Sequence, residues 1–172
     1  MNHGSRLKRD FFSRDVLEVA PDLPGKYLCV PGEDGITGKY MITEVEAYRG
    51  EEDEACHVSK GRTGRNEIMY HRGGLIYVYF IYGMYWMFNI VTARAGIPQA
   101  VLIRGIKGFG GPGKLTRQLK IDGSYYGEDI CGSKRIWLED HETKVETAQG
   151  KRIGIDYASS HWRDIEWRYY VL

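Results

Sequence analysis

From Gly73 to Ala93 the chain carries no charged residue, reading GGLIYVYFIYGMYWMFNIVTA. Its length invites comparison with a membrane-spanning helix, for which about 18 consecutive apolar residues suffice. The composition points elsewhere. The stretch is rich in tyrosine, contains Asn89, and is interrupted by Gly83 at its middle. Aromatic and β-branched residues favour extended chain over helix. Two strands, about Leu75–Ile81 and Tyr85–Thr92, joined by a tight turn at Tyr82-Gly83-Met84, account for it. Alternation then sends Tyr77, Tyr79 and Ile81 to one face and Ile76, Val78 and Phe80 to the other. A buried core hairpin would use the same residues, and core is the ordinary fate of any single ring here. Tyr82 is different. A large ring at an exposed turn is costly unless it meets a partner, so it is expected to act as a wedge.

The surroundings of this stretch are basic. Between His57 and Lys120 there are ten lysines or arginines and one acid, Glu67, a formal charge of +9 in a chain whose total is +1. The remainder must therefore carry −8. Positive charge gathered around a band of aromatic rings suits a polyanion with flat, stackable parts, and nucleic acid fits best.

The chain has 172 residues and 42% hydrophobic content, enough for one domain with a proper core, and a single domain over residues 1–172 is expected. Cys29, Cys56 and Cys131 form no CxxC pair and are odd in number. That argues for a reduced, intracellular protein without structural zinc. Cys56-His57 resembles a nucleophile pair, but neighbours on an extended chain point to opposite faces. The basic N-terminal MNHGSRLKRDFF lacks the apolar run of a signal peptide. A cytoplasmic, nucleoid-associated protein is expected.

No internal repeat or long low-complexity linker is present. A short helix is expected at Arg9–Leu17 and strands at Tyr27–Val30 and Tyr40–Tyr48, with Gly32-Glu33-Asp34-Gly35 as the turn between them. Acidic Glu51–Glu54 is expected to cap or begin a helix. Ala100–Ile106 reads as a buried strand, Lys107–Gly113 as a glycine-rich loop and Lys114–Ile121 as a basic helix. Trp137–Leu138 and Arg168–Leu172 read as strands. The class that follows is α+β: a mostly antiparallel, curved sheet with a protruding hairpin and a few packed helices.

One motif fails on inspection. Gly108-Phe-Gly-Gly-Pro-Gly113-Lys114 matches most of a phosphate-binding P-loop, but Leu115 stands where Ser or Thr should hold magnesium. Pro112 also removes an amide donor. A glycine turn, or a helix start touching a phosphate, explains the residues as well.

Chemistry is better sought at Thr43-Glu44-Val45-Glu46-Ala47-Tyr48. On a strand Glu44, Glu46 and Tyr48 share a face, and carboxylates at i and i+2 repel unless basic partners hold them. On these residues alone a solvated edge strand with salt bridges is the favoured reading. Glycoside hydrolysis needs two acids facing across a cleft, whereas these lie side by side. One carboxylate among rings and basic groups suits N-glycosidic cleavage instead.

The sequence resembles the alkyladenine (3-methyladenine) DNA glycosylase family. The resemblance rests on Glu44-Val-Glu-Ala-Tyr48, Glu52-Asp-Glu-Ala-Cys-His57, Gly61-Arg-Thr-Gly-Arg-Asn66, Tyr77-Val-Tyr-Phe-Ile-Tyr-Gly-Met-Tyr85, Asn89, Val101-Leu-Ile-Arg104, Gly111-Pro-Gly-Lys-Leu115 and Arg152-Ile-Gly-Ile155. They run in the family's order over most of residues 38–156. The resemblance implies that Glu46 is the base that deprotonates the attacking water and that Arg104 helps position it. A positioned base contributes roughly 10²–10⁴ in rate, so the leaving group carries much of the rest. Alkylation at N3 or N7 supplies a cationic purine. Tyr48, His57 and Tyr79 match the pocket that stacks on the extruded base. A lone histidine is more commonly a satisfied core residue, and here the surrounding motif decides otherwise. Tyr82 matches the residue inserted into the minor groove. Asn89 matches the position that crowds the 2-amino group of guanine. Arg62, Thr63 and Arg65 are assigned to the DNA backbone, with solvated surface as the plain alternative.

The implied protein is a monomeric, monofunctional hydrolase. It needs no metal or cofactor, acts on double-stranded DNA containing damaged purines and leaves an abasic site. Hypoxanthine and ethenoadenine are further candidate substrates. A non-catalytic nucleic-acid-binding module using the same rings and basic rim is the alternative. Two departures stand out. Many relatives carry a longer insertion between the strand ending near Ile106 and the GPGKL block, and residues Asp156–Leu172 diverge.

Overall fold

The computed structural model describes residues 4–172, so Met1–His3 of the basic N-terminus lie outside the described residues. In chain order the elements are β1 (Ser5–Arg6), α1 (Arg9–Phe12), α2 (Val16–Asp22), β2 (Tyr27–Pro31), β3 (Thr37–Tyr48), β4 (Ile76–Ile81), β5 (Tyr85–Thr92), β6 (Gln99–Ile106), β7 (Phe109–Gly110), α3 (Pro112–Gln118), β8 (Trp137–Asp140), β9 (Thr147–Gly150), α4 (Ser160–Asp164) and β10 (Arg168–Val171). The strands form one antiparallel sheet in the order β1-β8-β2-β3-β6-β5-β4, with β10 pairing β3 and β9, and β7 pairing β6. This is the expected α+β architecture: a single domain with short helices packed on a large open sheet.

The charge-free stretch is the β4–β5 hairpin, in register from Ile76↔Ile90 to Ile81↔Tyr85. Tyr82 and Gly83 both have positive φ, at 52° and 60°, and the Met84 N–H donates to the Ile81 carbonyl at 3.0 Å. Two consecutive left-handed residues match the right-handed twist of the flanking strands. The predicted faces are realised. Ile76, Val78, Phe88 and Ile90 enter the main core with residues of α2, α3 and β3, while Tyr77 and Tyr79 join a second cluster with Cys56, Val58 and Met69. No helix among the described residues is long and apolar enough to cross a membrane.

β3 organises the rest. One edge pairs with β2 over Thr37–Met41 and then with β10 over Glu44–Glu46, while the other pairs with β6 from Ile42 to Tyr48. Register shifts on either side of Glu44 mark a bulge, which bends the strand and re-aims its side chains. The expected solvated edge is therefore overturned: Glu44 and Glu46 lie on an interior strand, because β10 arrives from the chain's end to cover them.

Three smaller expectations also change. Arg9–Leu17 is two helices, broken where the Asp15 carboxylate caps α2 by accepting the Leu17 N–H at 2.9 Å. Glu51–Glu54 forms turns and starts no helix, since Asp53 is drawn inward to Arg152. The glycine-rich loop contains β7, and α3 begins earlier than expected, at Pro112. Gly113 is required there. A Cβ would sit 2.4 Å from the Tyr85 ring, so only glycine lets this helix lie against the hairpin.

Candidate active site

Strand pairing aligns Glu46 with Leu102, Leu102 with Asn89, and Asn89 with Tyr77, one row across four strands. The row borders a cavity of about 440 Å³, whose wall includes Tyr48, His57, Tyr79, Tyr82, Asn89 and Arg104. Residues distant in sequence thus meet because four neighbouring strands present one face.

Glu46 lies behind this wall and is 0% exposed. Its Oε2 accepts the Tyr48 hydroxyl at 2.7 Å, and its Oε1 accepts the Ile153 backbone N–H at 2.7 Å. Arg104 Nε stands 3.5 Å from Oε1 and donates to Glu44 Oε1 at 3.3 Å. Glu44 also accepts from Arg168 Nη1 at 3.2 Å, so two guanidiniums hold the carboxylate pair together. Burial raises the Glu46 pKa above the usual carboxylate range, against the lowering effects of Arg104, the Ile153 N–H and the Tyr48 hydroxyl. The group is a more basic carboxylate than one in water. Tyr48, Arg104 and Ile153 touch it and also line the cavity, so they separate the carboxylate from the open space.

Elsewhere in the wall, His57 Nδ1 and the Tyr77 hydroxyl are 2.8 Å apart, and the His57 and Tyr79 rings are tilted together with centroids 4.3 Å apart. That is too close to admit another ring. Burial, with a smaller contribution from Arg65, pushes the His57 pKa down to about 4. Its imidazole is neutral at physiological pH. Asn89 is buried and donates through Nδ2 to the Tyr77 carbonyl at 3.2 Å and to that of Met87 at 3.4 Å. The amide is held rigidly in the cavity wall.

Tyr82 stands at the mouth, 84% exposed. Of the three proposed backbone contacts, Arg65 lies over the Tyr79 ring at 5.2 Å, beside the cavity. Arg62 turns away to an ion pair with Glu67, and neither it nor Thr63 lines the cavity. All three are exposed on one loop, 61–66, which buried Asn66 organises by bonding Thr63 N–H, the His57 carbonyl and the Gly61 carbonyl. Cys56 is buried with its thiol pushed up to about 11, which removes it as a nucleophile. Among the described residues no group of three or more His, Cys, Asp or Glu comes together that could hold a metal ion.

Sequence reasoning named Arg152-Ile153 without giving either a role. Ile153 acts through a backbone amide, which residue type does not reveal. Arg152 forms a fully buried pair with Asp53. Tyr157, another wall residue, had no motif to flag it.

The sequence matches the family described as methylpurine-DNA glycosylase (MPG) over residues 10–110 and 108–172. The two segments meet where β6 turns directly into β7, in keeping with the short connection there. A relative from Desulfitobacterium hafniense, named "Putative 3-methyladenine DNA glycosylase", is 42% identical, covering 96% of this chain and 95% of its own. Relatives of the same name from Clostridium novyi (40%, covering 96% and 94%) and Wolbachia pipientis (42%, covering 91% and 87%) are similar throughout. With the match spanning nearly all of the chain, this protein belongs to the methylpurine-DNA glycosylase family and is a DNA glycosylase.

Proposed function

We propose that this enzyme removes 3-methyladenine and other alkylated purines from duplex DNA, with Glu46 as the base that activates water. The observation that carries the reading is a buried, basic carboxylate held by Tyr48, Ile153 and Arg104 directly behind an aromatic cavity. Tyr82 enters the stack as the damaged nucleotide leaves it, and the purine lodges between Tyr48 and the His57–Tyr79 pair. Water attacks C1′ of the sugar while the N-glycosidic bond breaks. Its proton passes to Glu46, its hydroxyl remains on the sugar, and the bonding electrons leave with the purine. A cationic alkylpurine departs readily because the bonding electrons neutralise it. A neutral lesion such as hypoxanthine or ethenoadenine must also gain a proton. Asn89, its amide fixed by two carbonyls, is the wall group that crowds the 2-amino group of ordinary guanine in this reading.

Supporting the reading, two of the basic groups in the wall are muted, since Arg104 is engaged by Glu44 and Glu46 and His57 is neutral, while Lys114 also lines the cavity. Neither Arg104 nor His57 then adds an uncompensated charge against a positively charged base. The test is base release from alkylated duplex DNA and from duplexes carrying one hypoxanthine or ethenoadenine, with the native enzyme and Glu46→Gln. Abasic sites formed by the native enzyme and lost in the variant are expected. Undiminished release by Glu46→Gln would overturn the assignment of the base.

A further inference from the structure

We propose that Arg152 is a positioning residue: its buried guanidinium sets the Ile153 N–H against Glu46 and the Tyr48 ring in the base stack. The inference rests on the reading of Glu46 as the base. Arg152 touches neither cavity nor solvent, and its side chain is 0% exposed. Nη1 and Nη2 fork onto Asp53 at 2.6 and 2.9 Å. Nη1 also donates to the Ala47 carbonyl at 3.0 Å, and Nη2 to the Trp162 carbonyl at 3.2 Å. The guanidinium lies against the Tyr48 ring at 4.9 Å and the Trp167 ring at 5.1 Å.

Each contact holds one part of the site. The Ala47 carbonyl belongs to the residue between Glu46 and Tyr48, so the guanidinium fixes β3 where both side chains leave it. Asp53 in turn accepts the Arg49 N–H at 3.0 Å and the Ala55 N–H at 3.1 Å, which shapes the turn leading to His57. The next residue, Ile153, supplies the amide on Glu46. One planar fork therefore ties together the carboxylate, its backbone donor and both walls of the base site. Lysine cannot reproduce this, because a point charge lacks the fork and the flat face.

A buried ion pair also has a plain structural reading, and an apolar pair of similar volume can replace it with little loss of stability. Positioning makes a different demand, since a displacement of about 1 Å at a reacting group costs on the order of 10² in rate. The experiment measures thermal stability, affinity for abasic-site duplex and single-turnover base release from alkylated DNA. It compares the native enzyme with Arg152→Lys, Arg152→Met and the double variant Asp53→Leu/Arg152→Met. Expected are release rates lowered about 100-fold in Arg152→Lys and in the double variant. Abasic-site affinity should stay within about twofold, because Arg152 does not reach the surface where DNA binds. The double variant should regain melting temperature without regaining rate. Recovery of rate together with stability would overturn the proposal, as would a native rate in Arg152→Lys. Should Arg152→Met fail to fold, Arg152→Lys alone decides. Glu46→Gln run in parallel separates the two claims: turnover without Glu46 sinks the catalytic reading, whereas a dead Glu46→Gln beside a fast Arg152→Lys sinks only this one.

Discussion

The Tyr48 hydroxyl donates to Glu46 Oε2 at 2.7 Å, two residues along the same strand. Alternation puts both side chains on one face of β3, so the stacking ring and the carboxylate are set by a single backbone segment. The bond also holds the ring's edge over the buried charge. A base stacked on Tyr48 would thus lie at a fixed distance from the proposed general base. Loss of the hydroxyl in Tyr48→Phe keeps the ring and removes one of the donors that lower the Glu46 pKa. The acid limb of the excision-rate profile is expected to move to higher pH, with stacking affinity retained.

Glu46 should cost the fold stability where it is ionised. Burial raises its folded pKa above the ordinary value near 4.5. The folded state then favours the protonated form, so the stabilising contribution is complete below that ordinary value and is lost as pH rises through the folded pKa. Glu46→Gln removes the buried charge and keeps an oxygen for the Ile153 N–H. Chemical denaturation is expected to find the variant more stable than native at neutral pH, the gap closing toward pH 4. Turnover should fall by roughly 10²–10⁴. A variant less stable than native at neutral pH would contradict the raised pKa.

His57 makes the opposite pH statement. Its pKa is pushed down to about 4, from an ordinary value of 6.5, by burial first and Arg65 second. Stability from this residue is fully present above pH 6.5 and is lost as pH falls toward about 4, where the unfolded chain binds a proton that the folded one refuses. Imidazole resonances in an NMR titration should stay those of the neutral ring down to about pH 4. A midpoint near 6.5 would mean that the imidazole stays hydrated at the cavity wall and that its contacts with Tyr77 and Tyr79 do not desolvate it.

Asn66 holds the loop that carries Arg62, Thr63 and Arg65. Its amide satisfies one N–H and two carbonyls, drawn from three points of the chain. Asn66→Ala should cost about 1–3 kcal/mol, since each lost bond contributes roughly 0.5–1.5 kcal/mol and water restores part of it on this partly exposed loop. The measurements are melting temperature and limited proteolysis, with new cleavage expected within residues 61–66. Its tie to the His57 carbonyl extends the damage to the base site.

The hairpin was legible because its evidence is local: period-two alternation and a Tyr-Gly turn specify strands, faces and tip together. The pocket residues were legible through contiguous motif blocks. What escaped depends on partners far along the chain. Glu51–Glu54 looked like a helix start because acids suit helix dipoles and turns alike, and the deciding partner, Arg152, lies 99 residues beyond Asp53. Glu44 and Glu46 looked like an edge until β10 covered them. Ile153 meets Glu46 across 107 residues through a main-chain donor that every residue except proline possesses.

Tyr82 offers the sharpest separation of fold from function. It is 84% exposed and has φ of 52°, in the left-handed region that a bulky side chain rarely adopts. A non-glycine residue there costs about 1–2 kcal/mol, and glycine returns about 0.5–1 kcal/mol of that through its freer unfolded chain. With so little of the ring buried, Tyr82→Gly should leave the melting temperature unchanged or slightly raised. The fold alone therefore gives no reason for tyrosine at this position. The proposed wedge does, because an aromatic ring stacked on a base contributes about 1–3 kcal/mol. Affinity for duplex containing an abasic site or a lesion is then expected to drop about tenfold or more. Phenylalanine keeps the ring and should keep the affinity. If Tyr82→Gly binds damaged duplex as tightly as the native enzyme, the strained ring at the tip is not the wedge, and the hairpin approaches DNA by another face.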